Sequence, residues 1–300
     1  MPARSGREAA GLFALSLLLP ASALALDNDP ALRGFGQFRG PNQEVLVDQK
    51  GFGQFVRELG MAMAPKLLAP AETLGVNGFA FSIGQYSATN IDQTAEYWKK
   101  GTEQTLAETI AHREAPTQNA EAEAPAFLHT VDFHVRKGLP YSVEIGGSMT
   151  YLVNSEFFAF GGEVKWAPNE AVDAFPVDFG VHAAVNRCFG STELDLTTVG
   201  LDFIVSRGFG AAGMANIAPY MAYNPVFVYA RSGVLDTTPG INEESDARDA
   251  RSTFVLGKED QTLHRFVLGT RFVASVVSVT PEIVLTKGLQ SYNVQLGLEF

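Results

Sequence analysis

Apolar side chains at every second position, sustained over runs of ten residues and more, constrain this chain more than any other feature. In "YSVEIGGSMTYLV", Tyr141, Val143, Ile145, Met149, Tyr151 and Val153 point one way, and Ser142, Glu144, Gly146, Ser148 and Thr150 point the other. Successive side chains leave opposite faces of a strand, so this period of two predicts a sheet with one apolar and one polar face. "FLHTVDFHV" repeats it, with Phe127, Val131, Phe133 and Val135 against Thr130, Asp132 and His134. "FPVDFGVHAAV" sets Phe175, Val177, Phe179 and Val181 against Asp178, Gly180 and His182. In "VVSVTPEIVL", Val277, Val279, Ile283 and Leu285 oppose Ser278, Thr280 and Glu282.

The alternation predicts ten strands, at 75–86, 126–137, 140–153, 156–167, 175–188, 192–206, 216–231, 262–274, 276–286 and 290–300. The sixth changes phase between Leu196 and Val199, which predicts a β-bulge or a shorter strand than the one drawn. The eighth and ninth are divided within "RFVASVVSVT", where no Gly, Pro or Asn marks a turn. These strands run to 11–16 residues. Soluble strands peak near about 5–6 residues, and strands that cross a bilayer need about 9–11. Rings stand toward the ends of the apolar face: Tyr141, Tyr151, Trp166, Phe175, Tyr229, Tyr292 and Phe300. That is the pattern of aromatic girdles at two interfaces. The polar face carries Glu144, Gly146, Glu163, Lys165, Asp178, Gly180, Arg271, Glu282 and Glu299, too many ions for the dry centre of a sandwich.

Two connections are long, polar and acidic, at 87–125 and 232–261. They are the first and the seventh, so both fall on one side of an up-and-down sheet, while the even-numbered connections are short. Neither has the ligand spacing of a calcium loop, and their charge reads as solvation of a mobile loop. No metal or cofactor is expected. An even strand count returns the C-terminus to the side from which the first strand set out.

Ahead of the strands come a basic stretch with Arg4 and Arg7, the apolar run "GLFALSLLLPASALA", and small residues at Ala23 and Ala25. This is the tripartite pattern of a secretory signal peptide, with cleavage expected after Ala25. Residues 26–73 form a distinct segment in which "GFGQF" occurs twice, at 34–38 and 51–55. The second copy opens "FGQFVRELGMAM", where Phe52, Phe55, Val56, Leu59 and Met63 share one helical face. The segment is therefore expected to be periplasmic, with an amphipathic helix at 52–63. The helix has three resting places: in the lumen as a plug, on the membrane surface, or against the turn end of the sheet. The last two suit its apolar face better than a polar lumen. One cysteine, Cys188, forms no intrachain disulfide, and a net charge of −11 argues against nucleic acid as a partner.

The last ten residues, "SYNVQLGLEF", alternate Tyr292, Val294, Leu296, Leu298 and Phe300. They resemble the terminal strand of Gram-negative outer-membrane β-barrel proteins. The resemblance implies that these residues are the signal read by the barrel-assembly machinery, and that the chain spans the outer membrane in contact with its lipid and lipopolysaccharide. It implies a single antiparallel transmembrane barrel over residues 74–300, with both termini periplasmic. "GVNGFAFSIGQYS" would close it, presenting Phe79, Phe81 and Ile83 to lipid and Gly78, Ala80, Ser82 and Gly84 to the lumen. A closed sheet is what hydrocarbon requires, because every backbone N–H and C=O there must be paired.

About eight strands fill a barrel with side chains, and open channels appear at about 16–18, so ten make a narrow lumen. Glu144, Glu163, Lys165, Asp178, His182, Arg271 and Glu282 are expected to meet there, with Asp132, His134 and Arg136 nearby. Such ions either pair to fill the lumen or form a constriction for a small solute. The expected function is a narrow pore or transporter for small solutes. The alternative is a surface-displayed adhesin or structural barrel with acidic extracellular loops. A third class is a hydrolase like the ten-stranded omptin proteases. Against it, His129 and His264 share the phase of apolar neighbours and face outward, and His134 and His182 lie too deep to meet a bulky substrate. No catalytic residue is assigned.

Overall fold

The computed structural model describes residues 27–37, 45–114, 124–168, 176–211, 215–237 and 253–300. The expected signal peptide, Phe175 and parts of both long connections lie outside these residues.

Ten strands form one closed antiparallel barrel: β1 Phe79–Asn90, β2 Phe127–Leu139, β3 Val143–Leu152, β4 Phe158–Trp166, β5 Asp178–Phe189, β6 Leu194–Ser206, β7 Ala215–Ser232, β8 Glu259–Ala274, β9 Val277–Thr286 and β10 Leu289–Glu299. Each strand pairs with its neighbours in sequence, and β10 closes on β1 from Ser291↔Thr89 to Glu299↔Ala80. The fold is thus the all-β barrel that the alternation predicts, with no free edge. Boundaries shift little except in β1, which starts four residues later than expected and runs on to Asn90. Part of the expected 87–125 loop is therefore strand. The rest of its described part holds a 3-10 turn, Trp98–Lys100, and a helix, Glu103–Glu114.

Odd-numbered connections gather at one end, the loop end, and even-numbered ones at the other, the turn end. Outward positions carry the apolar residues that alternation assigns to them, among them Phe81, Phe133, Ile145, Phe160, Phe203, Met221, Leu268 and Leu296. The bulge expected in β6 is absent: its inward side chains are Leu194, Leu196, Thr198, Gly200, Asp202, Ile204 and Ser206, without a change of phase. Leu194 and Leu196 break the apolar-outward rule because the lumen wall itself turns apolar near the loop end. The register slips instead in β1 around Ile83 and Gly84, so that Ile83 and Tyr86 both face outward. Among the described residues no helix is long and apolar enough to cross a membrane.

The N-terminal segment does not lie beneath the barrel or on a surface. Helix α1, Gln49–Met63, sits inside the lumen at the loop end, and residues 64–74 run on through the lumen to the turn end. Residues 27–37 lie against the loop-end connections: Asn28 N–H donates to the Asn154 carbonyl, and Leu32 N–H to the Glu193 carboxylate. Phe300 pairs with Phe79 at the turn end. The beginning and end of the described chain are therefore at opposite ends of the barrel, which corrects the expectation that both termini share one side.

Candidate functional site

The lumen has two halves of different chemistry, and the N-terminal segment fills both. At the loop end the wall turns Leu128, Leu152, Leu196, Val226, Val228 and Leu263 inward, all nearly or fully buried. Against them pack Phe52, Phe55, Val56, Leu59 and Met63, the face picked out by helical spacing, each no more than 1% exposed. Burying five such side chains contributes on the order of 10 kcal/mol, an upper figure because unfolded chains bury some of this area too. Contact is close: a Cβ on Gly60 would lie 2.7 Å from Val228 Cγ1. The helix was expected outside the lumen because the lumen was expected to be polar throughout.

Polar groups fix the helix to the cap of connections above it. Asp48 is the N-cap, accepting from Gly51 N–H at 2.8 Å and pairing with Lys100 at 2.5 Å. Partial burial works to raise the Asp48 carboxyl, but the Lys100 and Gly51 hydrogen bonds outweigh it and hold the group below the usual carboxylate range. Glu58, buried on the helix, accepts from Trp98 Nε1–H at 2.6 Å, Tyr97 Oη–H at 2.6 Å and Asp92 N–H at 3.1 Å. Burial first, and then the bond to Glu58, push the Tyr97 phenol well above its ordinary value. Phe55 meets the Trp98 ring edge-on at 4.7 Å between centroids.

Below α1 the wall becomes ionic, and its side chains bind the main chain of the extended segment. Asn186 donates to Met63 O at 3.0 Å, Arg265 to Pro65 O at 2.8 Å and Lys165 to Pro70 O at 3.4 Å. Glu282 accepts from Leu68 N–H at 2.9 Å, Ser206 Oγ from Ala71 N–H at 3.0 Å and Glu144 from Leu74 N–H at 3.0 Å. These six contacts satisfy main-chain groups that a dry interior would leave orphaned. Leu68 takes a left-handed conformation, φ 42°, at the point where its N–H meets Glu282.

Of the seven residues expected to meet in the lumen, the structure joins most, but in separate clusters. Glu144 Oε1 lies 3.3 Å from both Arg136 and Lys165. Glu163 lies between two histidines, 2.9 Å from His134 Nε2 and 3.0 Å from His182 Nε2, and His182 Nδ1 reaches Asp202 at 2.7 Å. The His134 contact has ion-pair distance without hydrogen-bond alignment. Glu282 accepts from Tyr220 Oη–H and Asn293 Nδ2–H. Arg271 stands 3.7 Å from Glu299 and joins none of these clusters. Asp178 begins β5 beside Ser206, half-buried at the turn end, four residues before His182.

Lys66, Asp202, Arg265 and Tyr220 were not singled out from sequence. Lys66, on the threaded segment, donates to Ala62 O at 2.6 Å and lies 3.9 Å from Asp132. Its position in a segment without strand periodicity hid it. Asp202 and Arg265 do sit at polar-face positions of their strands, which was the signal available.

On the outer surface His129 and His264 face away from the lumen, as their phase predicts, each sharing a hydrogen bond with a tyrosine: Tyr86 at 2.5 Å and Tyr223 at 2.7 Å. Tyr292, Val294, Leu296 and Phe300 of the terminal strand are all exposed on the outside. Among the described residues no cluster of His, Cys, Asp and Glu has the geometry to hold a metal ion. The chain matches no protein-family model, and comparison with curated proteins gives no match. The barrel is compatible with an outer-membrane protein.

Proposed function

We propose that the chain is an outer-membrane barrel sealed by its own N-terminal segment, with a structural or surface-display role centred on the loop end. The observation that carries this reading is that 49–74 occupies the lumen from end to end, apolar against apolar and ion against main chain. An apolar outer wall, with Phe160 54%, Met221 58% and Phe266 59% exposed, supports the membrane placement, since soluble surfaces rarely carry such continuous apolar area. With the long acidic connections outside, as bacterial barrels arrange them, residues 27–37 and 45–48 lie at the extracellular end, packed against those connections. The barrel-assembly machinery and lipopolysaccharide are the partners this reading implies.

A narrow pore for small solutes is the second reading, favoured by the paired ions of the turn-end half. It requires the whole segment 49–74 to leave. Removing the helix alone forfeits burial on the order of 10 kcal/mol, so thermal opening is too rare to carry a steady flux. The test is reconstitution into a planar bilayer. The sealed reading expects heat-modifiable gel mobility with no steady conductance. Steady single-channel steps from the unmodified protein would replace it with the pore.

A further inference from the structure

The outer wall carries a built irregularity near the turn end. A cavity of about 780 Å³ opens there on the outward face, lined chiefly by Pro219, Met221, Leu268, Thr270, Pro281 and Ile283. Its volume falls within the range of small-molecule sites, about 300–1,000 Å³.

Its origin is local and physical. Pro219 pairs with Thr270, and both are small outward residues beside the larger Met221 and Leu268. The ladder between β8 and β9 stops at Gly269↔Glu282 and resumes at Phe272↔Val279, leaving Thr280 and Pro281 out of register contact with Thr270 and Arg271. Proline has no N–H to donate, so the gap cannot be zipped. The β6–β7 ladder likewise ends at Tyr220↔Ser206, just above Pro219. Behind the gap the floor is sealed by Tyr220: a Cβ on Gly269 would lie 2.3 Å from its Cζ, so only glycine lets this ring cross to Glu282. Glu282 already accepts from three donors, so the floor asks no polar group of an occupant. Among the described lining residues the one cation, Arg207, is exposed at the rim and stacks over Phe209, its guanidinium carbon 5.4 Å from the ring centroid.

We propose that this pit binds one acyl chain of an anionic phospholipid, with its phosphate on Arg207. An apolar trough opening sideways from the barrel wall, with a cation at the turn-end rim, matches an amphiphile lying parallel to the strands. It does not match a water-soluble solute, whose route would be the lumen. The site therefore belongs to the leaflet that meets the turn end. The inference rests on the membrane placement above and adds to it a preferred lipid.

Native mass spectrometry of the full-length protein in mild detergent, titrated with phosphatidylglycerol or phosphatidylethanolamine, tests it. The unmodified protein is expected to retain one phosphatidylglycerol in preference. Thr270→Trp, which fills the pit from the outer face, lowers that retention by about tenfold or more. Arg207→Gln keeps chain binding and lowers the preference for the anionic lipid by about fivefold. Phe160→Ala, outward and outside the pit, changes neither. Leu268→Trp stands in if Thr270→Trp does not give a heat-modifiable barrel. Equal retention by the unmodified protein and the filled variants, or no preference between the two lipids, overturns the site while leaving the membrane placement intact. A protein that does not partition into vesicles at all overturns both.

Discussion

The two halves of the lumen solve the same problem, filling a narrow cylinder without voids, by opposite means. The loop-end half uses area: five apolar side chains of α1 against inward leucines and valines, without any requirement for fixed partners. The turn-end half uses pairing: each buried ion is placed against an opposite charge or a main-chain group of the threaded segment. Burial energy is tolerant of shape because it scales with area, whereas a buried ion tolerates no loss of its partner. The difference teaches where each half will yield.

The sharpest way to break the contrast is to put an ion in the apolar half. Val228→Asp places a carboxylate against Gly60 with no designed cation, and should cost roughly 5 kcal/mol or more. Urea unfolding in detergent should show the loss, and planar-bilayer recording should show steps as α1 is expelled. Next comes Glu144→Gln, which leaves Arg136 and Lys165 sharing no carboxylate. A cost of about 3–5 kcal/mol is expected from the same unfolding measurement, and a neutral result would mean that water reaches this half freely. Leu59→Met, by contrast, keeps volume and apolarity on α1 and should cost less than about 1.5 kcal/mol with no conductance. The smallest effect belongs to the helix cap. Asp48→Asn preserves the N-cap acceptor and loses the charge, costing a few tenths of a kcal/mol or less at neutral pH. Because the Asp48 carboxyl is held below its ordinary value, its contribution is present above the unfolded value of about 4 and is lost as pH falls through the folded one. Protection from hydrogen exchange at the start of α1 should therefore fall on acidification in the unmodified protein and change less in the variant.

The contrast also explains what could be read from the sequence. All ten strands were legible because the outer face alternates along nearly all of its length, the slip at Ile83 and Gly84 excepted. The interior is not uniform, so inward residues carry two codes. Leu194 and Leu196 looked like a slipped phase in β6, yet they are the apolar code of the loop-end half. That apparent bulge, with Leu128 and Leu152 on the polar faces of their strands, was the available sign that the lumen could receive an apolar helix. The face of Phe52, Phe55, Val56, Leu59 and Met63 was legible as a face but not as a location, since a membrane surface and a greasy lumen select the same spacing. Partners across the lumen, such as Lys66 with Asp132 and Leu68 with Glu282, depend on how deep the thread lies, which no local pattern encodes.

A polypeptide lying through a ring whose only seam joins β10 to β1 resembles a cord through a bead. The seam runs from Ser291↔Thr89 to Glu299↔Ala80, and once it zips, the cord can be seated only by being drawn lengthwise past its own bulky rings. On this geometry we expect 49–74 to enter the barrel before β10 docks on β1, so that β10 acts as the clasp; a circular permutant that joins β10 to β1 in one chain should then fold with 49–74 outside the lumen.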